Sequence, residues 1–244
     1  MSIDKDYQLN YQNLNFEDTL RKYRLEYITD YLNTIKSDKI LEIGCGFHPI
    51  FMYYDDFKFM DIIEPGNLFY EFTKEKINND ARISIHNNFI EEASLEIKND
   101  YDVIIIGGFL HEIDNPEEVL QAVHKLMNPQ TILLTYLPNS NSFHRLLARE
   151  SGMIKSEYEF SENDVLFGRR NIFNISAITT LFVSCGYSVI KTDTYFVKPF
   201  AHYQMDSIMK LPFFTSNILD GFSKMTKYLP EMGCEIFLAA NLFL

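Results

Sequence analysis

No stretch of this 244-residue chain reaches about 18 consecutive apolar residues, so no transmembrane helix is expected. The first residues are polar and carry no hydrophobic core segment, so no secretory signal is expected. Only three cysteines occur, Cys45, Cys185 and Cys234, and their spacing is not that of metal ligands. They fit a reducing, cytoplasmic setting better than a disulfide framework, and leave no metal site to expect. Positive charge is scarce as well, with 22 Lys and Arg against 34 Asp and Glu, a formal net charge of −12. Such a chain repels phosphate backbones, and its densest basic groups, Arg169-Arg170 and Arg21, Lys22 and Arg24, are too short to line a nucleic-acid groove. Internal repeats and low-complexity segments are also missing. Hydrophobic content of 46% with 15% aromatic residues supports the core of one α/β domain with a moderate insertion.

What the chain does have is alternation. Residues 17–36 carry apolar side chains at Leu20, Tyr23, Tyr27, Ile28, Tyr31, Leu32 and Ile35, the spacing of one helical stripe. Strands are expected at Lys39–Ile43, Lys58–Ile63, Arg82–His86, Tyr101–Ile106 and Thr131–Tyr136. Helices are expected at Leu68–Ile77 and from Asn115 to Met127, where Pro116, Glu117 and Glu118 suit a first turn. Strands alternating with helices imply an α/β fold with a parallel, doubly wound sheet. Its right-handed crossovers gather the loops after the strands on one ligand-binding edge. Residues 138–172 break the rhythm, with a short helix over Ser140–Glu150 and a polar loop to Arg170. A helix at Ile175–Cys185, stopped by Gly186, and a strand at Tyr187–Val197 follow. A helical stretch punctuated by Pro199, Pro212 and Pro230 precedes a last strand, Cys234–Phe243.

Ile40 to Gly46 read Ile-Leu-Glu-Ile-Gly-Cys-Gly, and Glu64 follows 18 positions after Gly46, at the end of the next strand. Glycine lets a turn close over a ligand that a Cβ would strike. A carboxylate about 20 residues further on can accept hydrogen bonds from both ribose hydroxyls. The combination is built to hold an adenosine, although a plain strand-turn-helix would use the same glycines. A dinucleotide turn needs a third glycine where this chain has Pro49, so the pyrophosphate fingerprint fails. S-adenosylmethionine carries no phosphate, and Glu42, just inside the turn, suits a cationic ligand better than a pyrophosphate. A nicotinamide-dependent oxidoreductase is therefore the least favoured reading.

At these residues the chain resembles the class I S-adenosylmethionine-dependent methyltransferases, whose first motif is Glu-x-Gly-x-Gly-x-Gly after a hydrophobic strand. It matches at Glu42, Gly44 and Gly46, with Cys45 between the glycines, and departs at His48. The resemblance covers roughly residues 20–244. It implies a single domain over 1–244 with a Rossmann-like seven-stranded sheet, mostly parallel, its last strand antiparallel. Residues 1–36 become an N-terminal helical cap or lid, and 138–172 and 198–230 helical substrate-side insertions. S-adenosyl-L-methionine is the implied cofactor and S-adenosyl-L-homocysteine the product. Glu64, followed by Pro65, is the expected ribose ligand. Asn88 stands where the family usually has an acidic residue facing the adenine amino group, and Phe89 is placed to cover the ring. Gly107 and Gly108 end the fourth strand, where backbone would lie against the methionine portion. Arg24, 20 positions before Gly44, resembles the arginine that meets the cofactor carboxylate in ubiquinone-type O-methyltransferases.

Leu110-His111-Glu112 resembles the Leu-x-His segment that follows the fourth strand in this family. Because the sulfonium is already activated, the enzyme needs placement of the acceptor and often a base, and His111 is the candidate base. A core-packed or capping histidine is the plainer reading. Leu137 to Arg145 resembles a Pro-Asn-x-x-Ser-x-x-Arg stretch of bacterial methyltransferases acting on small molecules and surface glycans, extended by Phe167 to Arg170 and by Lys198 onward. His144, Arg145, Arg170, Lys198 and Gln204 are expected to line an acceptor pocket, and converging cations in an acidic protein suit an anionic acceptor. The expectation is O-methylation of a sugar or surface-glycan precursor or of a secondary metabolite. N-methylation and a non-catalytic cofactor-binding module are the alternatives.

Overall fold

A computed structural model describes residues 15–243 apart from 94–96, 98–99, 162–163 and 166–167. Residues 1–14 of the expected lid and Phe167 of the acceptor motif lie outside the described residues.

Helix α1 (Asn15–Leu32) leads into β1 (Lys39–Ile43), followed by β2 (Phe59–Ile63), α2 (Asn67–Ile77) and β3 (Ile83–His86). A single turn, α3 (Ile90–Ala93), precedes β4 (Val103–Ile106), α4 (Pro116–His124) and β5 (Ile132–Pro138). Then come α5 (Phe143–Glu150), α6 (Ile175–Ser184), β6 (Tyr187–Tyr195), α7 (His202–Ile208), α8 (Ser216–Lys224) and β7 (Glu235–Leu242).

The strands form one seven-stranded sheet in the order β3-β2-β1-β4-β5-β7-β6. Strands β1 to β5 pair in parallel, and β7 enters antiparallel between β5 and β6. This is the Rossmann-like arrangement expected. Ile43 lies level with Ile63 on β2 and with Ile106 on β4, so these three strands end together. The loops after β1 and β4 therefore meet where the strand order reverses, the crevice in which doubly wound sheets bind ligands.

Strand side chains alternate between two cores because successive Cβ atoms point to opposite faces. Leu41, Ile104, Ile106, Leu133 and Leu238 pack on the side of α4 and α6. Ile40, Val103, Ile105, Leu134 and Phe237 pack on the side of α1. Ile104 and Ile106 are fully buried, and burial of each contributes on the order of 2 kcal/mol. Helix α1 supplies Phe16, Leu20, Ile28 and Leu32 to the second core.

Several boundaries differ from the sequence reading by one to three residues, and at two of them the structure shows the physical reason. The helix expected from Ser140 starts at Phe143, because Asn139 is used in a turn. Its Nδ2 donates to the carbonyls of Glu231 (2.9 Å) and Gly233 (2.8 Å), and its Oδ1 accepts from the Asn141 amide. Strand β6 stops at Tyr195 because Phe196 has φ of 58°, a left-handed conformation that ends pairing. Helix α3 was not expected at all.

Candidate active site

The loops after β1 and β4 touch through backbone. Gly107 donates its N–H to the Ile43 carbonyl, and Gly44 donates to the Ile63 carbonyl, both at 2.8 Å. A Cβ on Gly107 would collide with the Gly44 carbonyl oxygen. Gly44, at φ of +73°, has the Phe109 ring 2.6 Å from where its Cβ would stand. Gly108, at φ of +63°, faces the Tyr136 ring in the same way. Gly46, at φ of +57°, is different, since nothing lies within 4 Å of its Cβ position. The turn is thus tight around Gly44 and opens onto space at Gly46.

Two carboxylates flank that space. Glu64 is 2% exposed, and it accepts from the amides of Gly46 at 3.0 Å and Gly66 at 2.8 Å. Burial raises its pKa, and the two amide bonds work against that rise. Its oxygens retain lone pairs for a further donor. Glu42, also buried, spends both oxygens on the Ile50 amide at 3.1 and 2.9 Å. Burial, with a contribution from the Glu64 charge, pushes its carboxyl up to about 8, so Glu42 is protonated at neutral pH without a ligand. The Cys45 thiol faces Glu64 at 3.8 Å and Thr73 at 3.5 Å, which leaves its backbone to the turn. Pro65, Asn88 and Phe89 are half-buried on the neighbouring loops. Asn87, rather than Asn88, ties those loops together through the Glu64 carbonyl at 2.9 Å, and Phe89 starts α3 with its carbonyl.

The raised Glu42 carboxyl has a measurable consequence. Its proton is held in the folded state and lost in the unfolded one between pH about 4.5 and about 8, so its stabilisation disappears as pH rises through that window. Glu42→Gln keeps an acceptor for Ile50 and removes the titration. The variant is expected to be more stable than the parent at pH 8, on the order of 4 kcal/mol, and to match it near pH 4. Urea unfolding across that range checks it, and equal pH slopes for the two proteins would refute it.

Arg24 projects from α1 into a carboxylate clamp. Its Nε donates to Glu235 Oε2 at 2.8 Å, and its Nη2 bonds Glu17 Oε1 at 2.6 Å and Glu235 Oε1. Tyr195 donates its hydroxyl to Glu235 as well. Nη1 makes no hydrogen bond among the described residues, and the guanidinium lies 5.2 Å from the Tyr136 ring centre. His111 is 5% exposed, and neither ring nitrogen has a hydrogen-bond partner among the described residues. Glu112 Oε1 stands 3.5 Å from its Nε2. Burial, then the Arg169 charge, pushes its pKa well below the usual value, so the imidazole is neutral. Its carbonyl accepts from the Arg170 and Asn171 amides at 2.9 and 3.0 Å.

The five expected acceptor residues divide. Lys198 is 2% exposed and faces no carboxylate within ion-pair distance among the described residues. Its Nζ is 2.9 Å from His202 Nδ1, and His202 Nε2 is 3.3 Å from Glu17 Oε2. His144 has an unpartnered buried Nδ1, and burial followed by the Lys198 charge lowers its pKa. Arg145 braces the loop after α5, its Nε donating to the Glu157 carbonyl at 2.8 Å. Gln204 is used at the start of α7, accepting from the Ala201 amide at 3.0 Å. Arg170 departs from the expectation. Its side chain is 58% exposed and 3.4 Å from Asp114. With its amide pinned to His111, the extended chain turns Arg170 outward and Arg169 inward, where Arg169 meets Asp164 at 2.5 Å. Sequence reading also missed Tyr136, Glu17, His202 and Glu235. Tyr136 was within reach, because it ends a strand at the ligand edge of a doubly wound sheet. The other three gave no local signal.

The sequence profile of a methyltransferase domain matches residues 17–192. No curated protein sequence matches the chain. Among solved structures, an S-adenosylmethionine-dependent methyltransferase from Thermotoga maritima aligns at a TM-score of 0.57 and 13% identity, over 93% of this chain and 94% of that one. A second from Clostridium acetobutylicum gives 0.56 and 10%, over 91% of each chain. Mitomycin 7-O-methyltransferase gives 0.51 and 14%, and the chain spans about half of its length, 49%. At these identities the structural likeness speaks for the fold alone.

Proposed function

The chain belongs to the methyltransferase-domain family of class I S-adenosylmethionine-dependent enzymes, and from that membership we propose that it methylates a hydroxyl of a small anionic acceptor, with His111 as general base. The residues of the first crevice fit the cofactor: the turn is open at Gly46 and closed at Gly44, and a buried carboxylate stands on each side. Glu64 would hold the ribose, with the backbone of Cys45, Gly46 and Pro65 around it. Asn88 and Phe89 would meet the adenine, Gly107 and Gly108 the methionine backbone, and Arg24 Nη1 its carboxylate. Glu42 would face the positive sulfur and ionise in answer to it. When bound, the cofactor supplies a methyl group already activated by its sulfonium.

One observation carries the base assignment. His111 is a buried, neutral imidazole with unpartnered nitrogens, on the loop that follows Gly107 and Gly108. A neutral imidazole can take a hydroxyl proton, and Glu112 and Asp164 oppose the charge that results. Lys198 supports an acceptor carrying a carboxylate or phosphate, since its buried ammonium has donors to spare and no carboxylate partner. His144 and Arg145 border the same region. This fits a sugar or surface-glycan precursor, or an acidic secondary metabolite. Helix α1 acts as a cap, tied to α7 by Glu17 and His202 and to β7 by Arg24 and Glu235.

His111→Ala is the test. S-adenosylhomocysteine binding by calorimetry should stay unchanged while turnover on hydroxyl acceptors bearing an anionic group falls about 10²–10⁴-fold. Retention of most of the rate would remove the base role and favour an amine acceptor, for which a base is less necessary. Binding of NAD in place of S-adenosylhomocysteine would overturn the cofactor assignment.

A further inference from the structure

The segment between β6 and β7 has a character unlike the rest of the chain. Residues 198–230 hold four lysines and two aspartates, net +2, which leaves −14 for the remaining residues of a −12 chain. Both aspartates are partly buried, and Asp220 accepts from the Tyr23 hydroxyl at 2.7 Å. The exposed charges of the segment are Lys210, Lys224 and Lys227.

Its apolar residues divide by direction. Phe214, Leu219 and Phe222 pack inward against the second core, and Phe222 also accepts the Val197 amide at 3.0 Å. That anchors α8. Leu211, Phe213, Met225 and Tyr228 face solvent on either side of it, with Phe213 66% and Tyr228 77% exposed. Folding gains nothing from leaving them there, because the inward set already fills the contact. Aromatic and aliphatic side chains interleaved with lysines, with no exposed acid from residue 210 to 228 and Glu231 the first beyond them, match the interface of an anionic bilayer. The apolar groups enter the headgroup boundary, and the lysines meet the lipid phosphates. No helix among the described residues is long and apolar enough to cross a membrane, so the attachment is to the surface.

We propose that this segment docks the protein on anionic lipid bilayers through Leu211, Phe213, Met225 and Tyr228, with Lys210, Lys224 and Lys227 as the electrostatic component.

Vesicle flotation tests the assignment, with vesicles of phosphatidylcholine alone and of phosphatidylglycerol mixed with phosphatidylcholine, at low and high salt. The parent protein should float with the anionic vesicles, stay behind with the neutral ones, and be released by salt. Lys224→Glu combined with Lys227→Glu should weaken binding by more than about 25-fold, at roughly fivefold per lysine removed. Phe213→Ser combined with Tyr228→Ser should lower it at least tenfold with the salt dependence intact. S-adenosylhomocysteine affinity serves as the control for folding in both variants and is independent of docking. Failure of the parent to bind anionic vesicles, or equal binding by all variants, would overturn the proposal. So would a concentration-dependent dimer in light scattering that Phe213→Ser abolishes, since that assigns the patch to a second copy.

Discussion

Glu64→Ala is expected to weaken S-adenosylhomocysteine binding by roughly 10²–10⁴-fold while the protein stays folded. Two hydrogen bonds from ribose hydroxyls to an ionised carboxylate contribute about 1.5–3 kcal/mol each, and their joint loss gives that factor. The fold should tolerate the change, because burial already raises the Glu64 pKa and the folded state draws little from its charge. What it does lose are the acceptors for the Gly46 and Gly66 amides, on a loop that water can reach once the side chain is gone. Glu64→Gln keeps one acceptor oxygen and should fall between parent and alanine variant. Calorimetric titration measures all three. A dissociation constant within threefold of the parent for Glu64→Ala would take the ribose away from this residue.

Gly107→Ala should be the more damaging change, because its added methyl meets backbone rather than a movable side chain. The Gly44 carbonyl can retreat only if the ends of β1 and β4 separate, which strains the Gly107–Ile43 and Gly44–Ile63 hydrogen bonds together. Overpacking of this kind costs about 3 kcal/mol, which for a chain of this size lowers Tm by roughly 6–12 °C. Cofactor binding should be lost with it. Gly46→Ala separates the two effects. Its φ of +57° makes alanine strained by roughly 1–2 kcal/mol, yet no atom stands in the way. A modest fall in Tm together with lost S-adenosylhomocysteine binding is expected there. Parent-like binding by Gly46→Ala would mean that the open space beside the turn is not where the ligand lies.

Much of the fold was legible because both periodicities are strong. Val103 to Ile106 is apolar on both faces, as a strand buried in two cores must be, and the β1 boundaries read from sequence, Lys39 and Ile43, are those of the structure. The turn around Gly44 was legible for a steric reason, since its left-handed φ and its contact with Phe109 both demand glycine. Other features depend on partners distant in sequence. Nothing local marks Asn139 as the residue that holds Glu231 and Gly233, so the start of α5 was misplaced. Arg169 and Arg170 are chemically identical in sequence, and only the bond from the Arg170 amide to His111 decides which one turns inward. The Glu17–Arg24–Glu235 clamp joins α1 to β7, a separation of 211 residues between Arg24 and Glu235, beyond the reach of any spacing rule.

The place of β7 also governs the order in which the protein can assemble as it is made. Among the described residues strand β6 pairs only with β7, and β5 has β4 on one side and β7 on the other. During synthesis β1 to β5 can pair as they emerge, but β6 has no neighbour until residues 235–242 arrive. Until then β5 presents an open edge, the kind of surface on which nascent chains associate wrongly. Glu235 comes with the same strand, so Arg24 also waits for its main partner until the sheet is closed. Completion of the sheet and formation of the Arg24–Glu235 pair are therefore one late event, and a ribosome stalled before residue 235 should hold a chain with five paired strands and without that pair.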